Sequence, residues 1–131
     1  MSPVNYAYQS IARATKDHGT TKMFGLMGDA NLFMVDSFVR ECGGEFIPAA
    51  HEGSTILMAA AYAHVSGNVG VATVTHGPAL TNCVTTLVEA SRMHTPLVIL
   101  AGDTPVANPR HLQSIDQREL VKVTGAGFVQ L

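Results

Sequence analysis

Four short apolar runs recur along the chain: "KMFGLM" (22–27), "EFIPA" (45–49), "NVGVATVT" (68–75) and "PLVILAG" (96–102). Between them lie segments whose apolar residues return at helical spacing. Leu32, Val35, Phe38 and Val39, for example, share one helical face of "NLFMVDSFVREC". Apolar runs with little polar alternation suit strands covered on both faces. The alternation therefore predicts an α/β fold, a mostly parallel sheet with helices on both faces in flavodoxin-like layering.

The punctuation sets the expected boundaries. Ser2 as cap, Pro3 at the first helical position and Gly19 as a stop predict a helix over Pro3–His18. A helix of small and apolar residues is expected over Gly53–Ser66, stopped by Gly67, and another over Leu80–Met93. "PLVILAG" reads as a buried strand. A polar loop holding Pro105 and Pro109 then leads into a short helix within "SIDQRELVKV". At 131 residues and 47% apolar, the chain suffices for one domain with a real core and is too short for two.

A net charge of −2 and the lack of any basic run leave no electrostatic footprint for nucleic acid or an acidic membrane. No apolar stretch is long enough to span a bilayer, and "MSPVNYAYQS" has no signal-peptide pattern. Cys42 and Cys83 stand apart without metal spacing, which fits reduced thiols in a cytoplasmic protein.

In parallel sheets ligands sit beyond the carboxyl ends of the strands. The segments to read are then "GDAN" (28–31), "AAHEG" (49–53), "THGPALTN" (75–82) and "GDTP" (102–105). Glu52 opens a helix that is otherwise almost wholly apolar. A first-turn acid answers the helix dipole. With Ile56, Leu57 and Met58 behind it, it would also be a dry carboxyl suited to proton donation. "THGPALTN" has neither phosphate-loop glycine pattern and reads equally well as a plain connection. His51, His76 and His94 match no zinc spacing, so no metal site is expected in this chain. Asp29 and Asp103 read as turn-capping acids.

The segment "HEGSTILMAAAYAHVSGNVGVATVTHGPALTNCVTTLVEASRMHTPLVILAGDTP" resembles the N-terminal, pyrimidine-binding (PYR) domain of thiamine-diphosphate-dependent enzymes, in the acetolactate synthase/benzoylformate decarboxylase superfamily. The likeness runs from "FGLMGDANLFMVDSF" to "LQSID". It implies that Glu52 matches the glutamate that touches the cofactor's aminopyrimidine. That carboxyl favours the imino tautomer, whose nitrogen takes the proton from the thiazolium carbon. Gly77, Pro78 and Asn82 match the family's "SGPGxTN" pocket segment, Gly28 the glycine after the first strand, and Gln113 a glutamine near the cofactor or substrate. His51 would help shape the pocket. His76 stands where serine is usual and Ala79 where glycine is usual, so His76 becomes a substrate or pocket candidate.

The resemblance also implies what lies beyond this sequence. Mg²⁺ and the diphosphate are held in the family by a second (PP) domain with a Gly-Asp-Gly…Asn-Asn segment, absent from residues 1–131. The domain itself reads as incomplete at its C-terminal end. The implied protein is a homodimer or tetramer acting on C–C bonds of a small 2-oxo acid, with the PP domain on the same or a neighbouring chain. Some members bind FAD, and no residue here calls for it. Two other readings stay open: a non-catalytic α/β binding or regulatory module, and a flavodoxin-like nucleotide-binding domain.

Overall fold

The computed structural model describes residues 6–131. Among them four strands form one sheet: β1 (Lys22–Gly25), β2 (Glu45–Pro48), β3 (Gly70–Val74) and β4 (Leu97–Ala101). Their order is β2-β1-β3-β4 and every pair is parallel. The helices are α1 (Ala7–Asp17), α2 (Leu32–Arg40), α3 (Glu52–Ser66), α4 (Pro78–Thr81), α5 (Val84–Arg92) and α6 (Gln117–Lys122).

Strand side chains alternate between two cores. Met23 and Val71 point to one side, where Ala12 of α1 and Met34, Val35 and Phe38 of α2 bury them. Phe24, Ala72 and Val74 point to the other, against Ile56 and Ala59 of α3 and Leu87 of α5. Both faces are thus covered around β1 and β3, and β3 is buried at every residue. The sequence's α/β expectation is met.

Three local expectations are corrected. Helix α1 starts at Ala7, because Tyr6 is extended (φ −82°, ψ 151°) and its N–H donates to Gln9 Oε1 at 3.3 Å. Ser2 and Pro3 lie outside the described residues. The helix expected over Leu80–Met93 is two helices, starting earlier at Pro78 and interrupted at Asn82 and Cys83. There the Cys83 N–H turns to Leu80 O, a tighter bond three residues back, while the Cys83 carbonyl starts α5 by accepting from Leu87 N–H. Strand β4 is not fully buried: Val98 is 47% exposed. It ends the strand order, and among the described residues no strand pairs with its outer edge.

The strand ends are laced together at the carboxyl edge. Ala49 N–H donates to Gly25 O and Leu26 N–H to Thr73 O. Asn31, 2% exposed, ties the β1–α2 loop to β3: its Oδ1 accepts from Gly28 N–H at 2.8 Å, and its Nδ2 donates to Leu26 O and Thr73 Oγ1. Thr73 Oγ1 passes its own proton to Leu100 O on β4. Asn31 therefore does the turn-capping work expected of Asp29, which is exposed. Asp103 does cap its turn, accepting from Thr104 N–H at 2.7 Å.

Candidate functional site

Glu52 is the first residue of α3, at the carboxyl edge. The cap is His51, whose Nδ1 accepts from Gly53 N–H at 3.1 Å. With Nδ1 accepting, the proton of the neutral His51 ring sits on Nε2. Behind Glu52, Ile56, Ala59 and Ala63 face the sheet and are buried. Leu57 and Val65, on the far side of the same helix, are 47% and 90% exposed. Glu52 itself is half-buried, so the apolar run does not seal its carboxyl within this chain as the sequence suggested.

The interruption between α4 and α5 brings Asn82 to this acid. Asn82 Nδ2 donates to Glu52 Oε2 at 2.9 Å. The backbones approach closely enough that a Cβ on Gly53 would lie 3.2 Å from Asn82 O. Glu52 Oε1 has no hydrogen bond to the described residues. Beneath the pair lies Cys83, fully buried. Burial first, and then the nearby Glu52 charge, pushes its thiol up to about 12. Cys83 is a packing residue held in its thiol form and not a nucleophile.

The turn after β3 carries His76 and Gly77. Gly77 adopts φ 54°, ψ −110°, a conformation that favours glycine, and a Cβ there would lie 1.8 Å from the Gln113 carbonyl oxygen. The loop after β4 can therefore sit on the "HGP" turn only because residue 77 has no side chain. Pro78 opens α4 and is exposed, whereas Ala79 is buried. Gly28 is likewise confined, since a Cβ would meet the Thr75 side chain at 2.7 Å. So Glu52, Asn82, Gly77, Gln113, Gly28 and His51 all belong to one edge. His94 precedes β4, at the opposite edge.

His76 is 5% exposed, and its Nδ1 is buried with no hydrogen-bond partner among the described residues. Leaving such a group unpaired costs about 1–3 kcal/mol. Its ring meets that of His111, with centroids 5.4 Å apart. His111 escaped the sequence reading. The available signal was its position two residues before Gln113, whose N–H donates to His111 Nδ1 at 3.2 Å. His51 and Gly53 repeat the same short-range turn. The edge is open at His51, Pro78 and Asn82, all exposed; two grooves lie elsewhere on the described residues, one between α3 and α5 and one near Thr20, Tyr62 and Asn68.

Residues 6–120 match the family described as "Thiamine pyrophosphate enzyme, N-terminal TPP binding domain". Sulfoacetaldehyde acetyltransferase of Castellaniella defragrans is 40% identical over 92 residues, 68% of this chain and 15% of that protein. Human 2-hydroxyacyl-CoA lyase 2 is 32% identical over 121 residues, 91% of this chain and 19% of that protein. The acetolactate synthase isozyme 3 large subunit of Escherichia coli K12 is 34% identical over 94 residues, 72% and 16% respectively. The chain thus spans less than a fifth of each relative's length. A match over residues 6–120, most of the chain, makes this chain a member of the thiamine pyrophosphate enzyme family, in its N-terminal TPP-binding domain.

Proposed function

We propose that this edge receives the aminopyrimidine half of thiamine diphosphate, and that the protein carrying it breaks or joins C–C bonds next to the carbonyl of a 2-oxo acid. One observation carries the reading: Asn82 holds Glu52 Oε2, while Oε1 is free of hydrogen bonds to the described residues, at the open edge. A carboxyl with one oxygen anchored and one free fits a pyrimidine ring nitrogen, which needs a single directed partner.

Thiamine diphosphate, when bound, supplies the carbanion chemistry at its thiazolium carbon. Glu52 holds or releases a proton at Oε1 toward the ring nitrogen, and Asn82 fixes the carboxyl plane. Gly77 and Gly28 shape the rim by letting Gln113 and Thr75 pack against them, and the exposed Pro78 faces the side from which the ring would come. His51 keeps the first turn of α3 in place, and Gln113 and His76 border the substrate side. A separate diphosphate-binding domain, on the same or a neighbouring chain of a homodimer or tetramer, holds the diphosphate with Mg²⁺ and covers the open edge. A cytoplasmic setting agrees with the two free thiols.

The test combines this chain with such a domain and measures exchange of the thiazolium C2 proton in D₂O. Glu52→Gln should leave folding intact and slow exchange about a hundredfold or more, the scale of a lost acid–base group. Wild-type exchange in that variant would overturn the assignment.

A further inference from the structure

The thiamine reading places His76 on the substrate side without saying what it binds and gives His111 no task, although the fold brings their rings together. They come from different loops, after β3 and after β4. Their contact depends on the Gln113 carbonyl seating against Gly77. The ends of the second loop are fixed as well: Gln117 Nε2 donates to Gly102 O at 2.8 Å, and a Cβ on Gly102 would meet the Ala30 side chain.

The chemistry of the pair is narrow. His76 Nδ1 is buried and unpartnered. His111 Nδ1 accepts from Gln113 N–H, which leaves Nε2 as the proton-bearing nitrogen of its neutral ring. No ion pair joins either imidazole to a carboxylate among the described residues. The two acids of the same loop, Asp103 and Asp116, are occupied with Thr104 N–H and Glu119 N–H. A metal ion is the weaker fit, because among the described residues no group of three or more ligating side chains converges anywhere. Two imidazoles with spare nitrogens and no paired carboxylate suit an external oxyanion, which accepts hydrogen bonds from their ring N–H groups and favours any proton the rings take from solvent.

We propose that His76 and His111 together bind the oxyanion group of the substrate, a carboxylate or a sulfonate, beside the Glu52 site. The inference rests on the thiamine reading for the word substrate. It makes the pair a specificity device: an acidic substrate is held by its charged end while its carbonyl faces the cofactor. The loop that carries His111 presents Val106 and Leu112 outward, 95% and 99% exposed.

The experiment observes the imidazole nitrogens of the ¹⁵N-histidine-labelled chain by NMR at constant ionic strength. Pyruvate, methanesulfonate and acetone are added in separate titrations. Pyruvate, methanesulfonate or both should move the His76 and His111 signals along one saturable curve, with the other four of the six histidines still. Which anion acts separates carboxylate from sulfonate recognition, and acetone should do nothing. His111→Gln should weaken the response about tenfold, as expected for one lost charge-assisted bond. No saturable shift, an equal shift with acetone, or a common drift of all six histidines would overturn the proposal. The wild-type titration decides even if the variant misfolds. A parallel titration with thiamine, read at the Asn82 side-chain amide, separates the two claims. Thiamine response without imidazole response rejects the anion site alone, and the converse rejects the thiamine reading alone.

Discussion

Asn82 donates its side-chain amide to Glu52 Oε2 across 2.9 Å, joining the interruption between α4 and α5 to the first residue of α3. The two residues are thirty positions apart, and their meeting gives the carboxyl a fixed plane with one oxygen left over.

Removing the donor should affect chemistry more than folding. Asn82→Ala is expected to cost about 1 kcal/mol of stability, since the bond is solvent-accessible, while slowing C2 proton exchange in the combined enzyme about tenfold. Asn82→Asp should do worse by facing Glu52 with a like charge. Pairing it with Glu52→Gln restores a donor–acceptor match, so the double variant should recover stability without activity. Urea unfolding of the four proteins, combined as a double-mutant cycle, measures the coupling.

Gly77→Ala should displace the loop carrying His111 and Gln113. The added carbon would sit 1.8 Å from the Gln113 carbonyl oxygen, on a backbone at φ 54°. Backbone strain alone amounts to about 1–3 kcal/mol. The expected result is a stability loss of at least that size in denaturant unfolding, with the Gln113 amide losing protection from hydrogen exchange.

Asn31→Ala should be among the more damaging polar substitutions at this edge. It removes three hydrogen bonds from a residue 2% exposed and leaves Gly28 N–H and Leu26 O without that partner. A loss of about 2–4 kcal/mol is expected. A measured loss below about 1 kcal/mol would mean that water replaces the side chain.

Cys83 gives the chain a predictable alkaline weakness. Burial and then the Glu52 charge raise its thiol from the ordinary 9.0 up to about 12. The folded chain keeps this proton where the unfolded chain has lost it. The associated stability is therefore whole below pH 9.0 and drains away between 9.0 and about 12. In a Cys42→Ser background, Cys83→Ala should abolish that component of the alkaline decline in pH-dependent urea unfolding. Glu52→Gln should move the thiolate absorbance titration of Cys83 to lower pH, because it removes the second cause.

How much was legible follows from the range of each signal. Helix starts and stops are local, and "DQRELVK" behaved locally: Asp116 caps α6 by accepting from Glu119 N–H at 3.0 Å. The start of α1 is harder to read, because it is set by the extended Tyr6 and by Gln9 Oε1 accepting from the Tyr6 N–H, a signal the sequence does not single out. The burial of β4 was overread because an apolar run shows what a strand can bury and not whether a layer reaches it. His111 went unseen because nothing in its neighbourhood suggests a contact with the turn after another strand.

The sequence by itself determined the layered parallel sheet and the edge on which Glu52 lies, because apolar periodicity dictates which faces must be covered, and parallel strands put all their carboxyl ends on one side. Only the tertiary structure decided how that edge is finished. The break at Asn82–Cys83, the anchoring of one Glu52 oxygen, and the closing of His111 over His76 depend on backbones from separate loops meeting at contact distance. Gly53 and Gly77 permit that approach by lacking a side chain, which is visible only once the opposing backbone is in place.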